Sequence, residues 1–260
     1  MDRWLLLDIG NSETLAGVSD GESILSRFRF RTNPDVTADE YRSHLSTLLK
    51  YGRGAETRLG LEGIRRAVAS SVVPAVDRIV RAALNDLSLL IVDHRARRDF
   101  ELDLPFPEQL GADRLANAAG ALATVAPPCI IVDAGTATTV CLIDERPAYI
   151  GGAISPGLLT SWRSLVERAA KLTSVPLELP PRPIGVTTET QLQSGLLIGH
   201  ASLITGLVEA MRRDAGGGFT GARVLATGGC APLMRLPEDY LLDADLTLRG
   251  LLRYGQLNPG

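Results

Sequence analysis

One short pattern occurs twice in this chain and constrains its fold more than any other feature. At residues 5–18, LLLDIGNSETLAGV passes from an apolar run through Asp8, one residue, Gly10 and a polar loop into a second apolar run. At residues 130–143, IIVDAGTATTVCLI repeats that order around Asp133 and Gly135. Either copy alone is good turn chemistry, because glycine and short polar residues suit a tight reversal of the backbone. A carboxylate kept in register at the end of two strand-like runs, far apart in the chain, argues instead for two copies of one structural unit.

The surrounding elements agree. Residues 4–32 alternate short apolar runs with turns at Ser19-Asp20-Gly21 and Asn33-Pro34, the pattern of a strand meander. TADEYRSHLSTLLK then places Tyr41, Leu45, Leu48 and Leu49 on one helical face, with Thr37 and Glu40 at capping-box spacing. A strand AVASSVV, a helix opened by Pro74 and reaching about Leu87, and a strand LLIVD follow. From Gly111, GADRLANAAGALATV reads as helix and leads into the second IIVDAG strand and a meander through AYIGGAI. Helices from about Leu158 to Leu172 and from Thr188 to about Arg213, an extended Pro-rich connection at 175–185 and a strand ARVLATGG complete the second half. The expected class is α/β: two similar lobes from an internal duplication, 1–114 and 115–260, with the cleft between them as the default ligand site.

Composition narrows the partners. A net charge of -3, with no Lys/Arg run interleaved with aromatics, gives no reason to expect nucleic acid. Cys129, Cys141 and Cys230 are odd in number and widely spaced, so neither a disulfide framework nor a CxxC metal site is expected. The three leucines before Asp8 are too few for a signal segment, and no apolar stretch approaches the roughly 18 residues of a membrane span. A soluble cytoplasmic protein without a membrane partner is the expectation. His44, His94 and His200 lack metal-ligand spacing and a paired nucleophile, and read as ordinary surface or core residues.

Two strand-end Asp-x-Gly turns are suited to a phosphate chain. Glycine lets the backbone approach a ligand, and backbone N–H groups with the side chains of Asn11, Ser12, Thr14, Thr136, Thr138 and Thr139 supply donors. Carboxylates beside phosphates repel them unless a cation lies between, and hard oxygen ligands suit Mg2+ or a monovalent ion. No GxxxxGK[ST] occurs, and the GGGFTG at 216–221 precedes a strand where a dinucleotide fingerprint follows one. The TGG at 227–229 follows a strand, so it suits either an adenine or ribose packed on backbone or an ordinary turn. Asp113 alone fits two roles, a cap for the helix after it or a carboxylate that takes a proton from an alcohol. Arg114 likewise fits a phosphoryl- or carboxylate-neutralising role or a solvated helix position.

Taken in order, DIGN (8–11), GADR (111–114), DAGTATT (133–139), GGAISPG (151–157), GVTTETQLQSG (185–195) and TGG (227–229) closely resemble type III pantothenate kinase, over nearly the whole chain. The resemblance implies an actin-like, RNase H-like double-lobed fold of the acetate and sugar kinase, Hsc70 and actin superfamily. It also implies a homodimer that transfers the γ-phosphoryl group of ATP to pantothenate, the first step of coenzyme A synthesis, with Mg2+ and a monovalent cation, K+ or NH4+. By position within the motifs, Asp8, Ile9, Gly10, Asn11, Ser12, Glu13, Thr14 and Leu15 would hold the ATP phosphates, and Thr136 would contact ATP from the other lobe. Asp8 would meet Mg2+ directly or through water, and Asp133 would bind the monovalent cation. Gly111, Ala112, Asp113 and Arg114 would bind pantothenate, with Asp113 as general base, and Thr188 would reach pantothenate across the dimer interface. The chain departs from the family pattern at Cys141, where Asp is common, and before GADR, where Leu104 and Phe106 stand near a common Tyr. Ser12 replaces a usual Thr, and Glu13 adds a charge that would weaken ATP binding if it pointed inward. Two rival readings are a superfamily kinase or phosphohydrolase with another small substrate, and a non-catalytic regulatory protein; retention of Asp8, Asp113 and Asp133 argues against the second.

Overall fold

A computed structural model describes residues 3–51, 60–168 and 175–259. The first apolar run is β1 (Arg3–Ile9), and Leu5, Leu6 and Leu7 are all fully buried. A strand covered on both faces needs apolar side chains on both, so the run is continuous and does not alternate. β1 pairs antiparallel with β2 (Glu13–Ser19), which pairs antiparallel with β3 (Ile24–Arg31). After α1 (Ala38–Tyr51) the chain returns as β4 (Ile64–Ser71), parallel to β1, and after α2 (Pro74–Ala83) as β5 (Ser88–Ile91), parallel to β4.

Local signals set these elements. Thr37 and Glu40 form the expected capping box before α1: the Thr37 N–H donates to Glu40 Oε2 (2.8 Å) and the Glu40 N–H to Thr37 Oγ1 (3.3 Å). Tyr41, Leu45 and Leu49 of α1 and Val76, Val80 and Ala83 of α2 bury against Leu5, Leu7, Ile9, Ala67 and Ala69 of the sheet.

The second meander follows a two-residue strand β6 (Glu101–Leu102) and α3 (Ala112–Leu122). β7 (Cys129–Ala134), β8 (Ala137–Ile143) and β9 (Ala148–Pro156) are consecutively antiparallel. α4 (Leu158–Arg168) comes next, and the part of its expected span at 169–172 lies outside the described residues. Residues 175–187 carry no regular structure, as the prolines require. A helical run then comprises α5 (Thr188–Gln193), a π turn (Ser194–Ile198) and α6 (Gly199–Ala215). This run is long and apolar enough, by length and composition, to cross a membrane; Leu196, Leu197, Ala201, Ile204 and Val208 use that apolarity in the second core. β10 (Arg223–Thr227) is parallel to β7, and β11 (Leu241–Leu242) is parallel to β10. The chain ends in α7 (Leu246–Leu257).

The sheet orders are β3-β2-β1-β4-β5 and β11-β10-β7-β8-β9-β6. Read from the meander inward, each is a three-stranded antiparallel set followed by two parallel strands on the side of the Asp-bearing strand, which is the duplication in structural form. β6 is an addition at the β9 edge.

Contacts divide the chain into one unit of 1–101, 105–124 and 245–260 and another of 102–104 and 125–244. The expected boundary at 114 therefore falls inside α3. The reason is packing between α3 and α7: a Cβ on Gly250 would lie 1.7 Å from the Ala116 carbonyl oxygen, and one on Gly120 would lie 2.1 Å from that of Leu246. Two helices whose backbones touch this closely belong to one core, so α3 stays whole and the final helix joins the unit that began the chain.

Candidate active site

Asp8 is the penultimate residue of β1, in register with Leu15 on β2 and Ser70 on β4. The Ser70 hydroxyl donates to Asp8 Oδ1 at 2.8 Å. Asp133 is the penultimate residue of β7, in register with Thr139 on β8 and Thr227 on β10. Each carboxylate thus has a hydroxyl residue in register on the parallel strand. Ser70 escapes sequence reading, and Thr227 is picked out there only as part of the TGG motif, because nothing local aligns strands separated by a crossover.

The hairpins beyond the two carboxylates differ by one residue. The Gly10 N–H donates to the Glu13 carbonyl (3.1 Å) around Asn11 and Ser12, whereas the Gly135 N–H donates to the Ala137 carbonyl (3.0 Å) around Thr136 alone. Asn11, Ser12 and Thr136 are exposed at the tips, while Ile9, Thr14 and Leu15 are buried. Thr14 spends its hydroxyl on Thr32 Oγ1 (2.9 Å). Buried side chains leave those three residues only backbone groups to offer a ligand. Glu13 is more than half exposed and pairs with Arg29 at 3.5 Å, opposite Arg31 in the β2–β3 register. Its added charge is therefore balanced beside the loop.

The second hairpin is tied down from several sides. The Thr136 carbonyl accepts from the Gly157 N–H (3.1 Å) and from Thr160 Oγ1 (2.6 Å), and the Cys230 N–H donates to the Ala134 carbonyl (2.9 Å). Gly228 of the TGG segment has φ of 91°, and a Cβ there would lie 2.5 Å from Asp133 Oδ1. That glycine is required so that the strand end can close on Asp133. Thr138, expected as a ligand donor, is fully buried and hydrogen-bonded to His200 Nε2 at 2.8 Å. Its hydroxyl serves the fold.

Cys141 is buried and its Sγ accepts from the Tyr149 hydroxyl (3.0 Å), so the thiol takes up a polar partner inside the second unit. His44 stacks edge-on against Phe30 at 5.1 Å, in keeping with an ordinary residue.

α3 opens on Gly111, which caps the helix without a side-chain bond; Ala112 is buried, and Asp113 and Arg114 are partly exposed. Asp113 is not the cap residue. From the first turn its Oδ1 accepts from the Arg114 N–H at 2.8 Å, which satisfies one orphan donor and places negative charge at the positive helix end. No Arg, Lys or His forms an ion pair with Asp113 among the described residues. Thr188 is exposed on the first turn of α5, which is capped by Thr187 and Thr190.

Could these donors hold cations? They are carboxylate, hydroxyl and carbonyl oxygens, which fit Mg2+ or K+ and not a soft metal. No cluster of three or more His, Cys, Asp and Glu occurs among the described residues. An ion at Asp8 or Asp133 would complete its shell with water and phosphate oxygens.

Two units built on one meander, each with a carboxylate at the end of its central strand and a glycine hairpin beyond it, define the actin-like class of fold. Solved structures agree on the fold: a Campylobacter jejuni protein described as a Baf family transcriptional activator (TM-score 0.63, 19% identity, 98% of each chain) and MreB 5 of Spiroplasma citri bound to AMPPNP (TM-score 0.52, 11% identity, 96% of this chain and 95% of that one). The family model for type III pantothenate kinase matches residues 4–210. Type III pantothenate kinases from Thermomicrobium roseum (38% identical, 95% of this chain and 94% of that one) and Thermus thermophilus (38%, 96% and 97%) align along nearly the full length. The chain belongs to the type III pantothenate kinase family, and it is a kinase.

Proposed function

We propose the following division of labour for the reaction that family membership gives this chain, transfer of the γ-phosphoryl group of ATP to pantothenate at the head of coenzyme A biosynthesis. The observation that carries it is the Asp113 carboxylate, partly exposed at the start of α3, bonded to one backbone N–H and in no ion pair among the described residues. A primary alcohol is a poor nucleophile. A carboxylate in hydrogen-bond reach takes its proton as the bond to phosphorus forms, worth about 10²- to 10⁴-fold. Arg114 and the α3 N-terminus hold the anionic end of pantothenate or the transferring group, and Thr188 adds a hydroxyl to the same substrate.

Asn11, Ser12, Thr136 and the hairpin backbones donate to ATP phosphates. Asp8 meets Mg2+ directly or through water, and Asp133 holds K+ or NH4+; bound there, these ions offset phosphate charge. A homodimer is supported by exposed apolar side chains of the second unit, Ile154, Ile184 and Val186, and a cytoplasmic setting by three buried cysteines that are in no disulfide among the described residues.

The test is phosphoryl transfer to pantothenate with Mg2+, with and without K+, by protein shown to be folded. Transfer stimulated by K+ is expected, and no product sinks the reading. Asp113→Asn should lower kcat about 10²- to 10⁴-fold while calorimetric ATP affinity holds. A folded variant that keeps its kcat removes Asp113 from the role of base.

A further inference from the structure

The buried face of the 188–215 helical run is apolar at Leu196, Leu197, Ala201, Ile204 and Val208, and His200 interrupts it. His200 is 7% exposed, and its Nε2 lies 2.8 Å from the hydroxyl of Thr138, which is 0% exposed. A buried polar pair on an apolar seam specifies one alignment of the two elements, because sliding leaves both groups unsatisfied.

What the pair aligns is the second hairpin. Thr138 stands opposite Ala134 in the β7–β8 register, one pair before the closing hydrogen bond between Gly135 and Ala137. Thr136 at the tip and Asp133 at the strand end are the groups that this hairpin presents. The ties already described hold its tip from α4 and its β7 side from the Cys230 backbone. On the β8 arm His200 takes the Thr138 hydroxyl, while the Ser155 hydroxyl donates to the Thr138 carbonyl at 3.4 Å.

The same helical run begins at Thr188, and its first turns are fastened to the segment before it. Gln193 Nε2 donates to the Pro176 carbonyl (3.0 Å) and Ser194 Oγ to that of Pro183. Between these anchors and His200 the helix widens into the π turn at 194–198, an irregularity that recurs at functional sites. One helix therefore carries Thr188 at its start and grips the hairpin at His200.

We infer that His200 is a positioning residue: through Thr138 it fixes the β7–β8 hairpin for ATP, and it links that hairpin to the helix bearing Thr188. The inference rests on the reading that this hairpin holds ATP phosphates.

Four variants test it. His200→Leu removes the bond and fills similar space, Thr138→Val does so from the other side, and His200→Gln keeps a nitrogen at the reach of Nε2. Loss of one positioning hydrogen bond should weaken ATP binding by calorimetry, and raise KM for ATP, on the order of tenfold in both Leu and Val variants. KM for pantothenate should change by less than about twofold, and His200→Gln should restore ATP affinity. The double variant His200→Leu/Thr138→Val separates positioning from mere core structure. Replacing both partners by apolar groups relieves the unsatisfied polar atom, so thermal stability should return toward that of the parent while ATP affinity stays weak.

ATP affinity that recovers together with stability in the double variant overturns the proposal, as does unchanged affinity in His200→Leu. Calorimetric ATP binding does not depend on the acceptor, so a failure of phosphoryl transfer to pantothenate in the parent protein is distinguishable from a failure of the positioning role.

Discussion

Burial holds the His200 ring below its ordinary pKa of 6.5, and no charged neighbour contributes to that shift. The sign of the consequence follows from linkage. A group whose folded pKa is depressed binds its proton more readily in the unfolded chain, so its contribution to stability is present above about pH 6.5 and is lost as pH falls through the folded value. The melting temperature of the parent should therefore drop between about pH 7.5 and 5.5, and His200→Gln, which cannot titrate there, should show a shallower slope. Equal slopes in thermal unfolding across that window would show that His200 is not the titrating group. At this scale the sequence supplied the residue types but not their partners. The sequence leaves the facing of Glu13 open, and the β2–β3 pairing sets it opposite Arg31 and in an ion pair with Arg29. Thr138 looked like a phosphate donor until the helix through His200 was seen to cover it.

At the scale of elements, the opposite case is α7, which LTLRGLLRYGQL does not announce because two glycines lower its helix propensity. Both glycines are explained by what they touch. A Cβ on Gly250 would meet the Ala116 carbonyl oxygen at 1.7 Å, and one on Gly255 would meet the Trp4 ring at 2.6 Å. Close approach to α3 and β1 is obtained at the expense of propensity, so tertiary packing overrides the local signal. Two-residue strands such as β6 and β11 are invisible for a simpler reason, since no periodicity fits in two residues. Gly250→Ala sets the two effects against each other. Propensity alone would stabilise the helix by up to about 1 kcal/mol, whereas a methyl group driven into backbone, which no rotamer change relieves, should cost at least ~2 kcal/mol. Chemical denaturation should show net destabilisation. A variant as stable as the parent would mean that α3 and α7 can separate slightly without loss.

At the scale of the molecule, the Asp-x-Gly repeat was legible because a charge ending an apolar run is rare enough to be matched with its copy, and the sheet orders bear the duplication out. The course of the chain was not legible. Nothing in the final residues says that they return to the unit containing β1, because that choice is made by helix-to-helix fit far along the sequence. The return has a consequence for stability. α7 buries Leu246, Leu248, Leu251, Leu252 and Tyr254, and at roughly 1.5–3 kcal/mol for each large apolar side chain their burial is of the same size as the 5–15 kcal/mol, roughly, that stabilises an ordinary domain. It also covers α3, whose first turn carries Asp113. A chain ending at Ala244 should therefore lose the cooperative unfolding transition of the first unit. The second unit, whose described residues stop at Ala244 by packing, should keep its own. Hydrogen exchange read by mass spectrometry separates the two: β1, β2 and β4 peptides should exchange freely in the truncated chain while β7, β8 and β10 peptides stay protected. Protection retained in β1 and β4 would mean that the first core folds without its last helix, and loss throughout would mean that the two units fold as one.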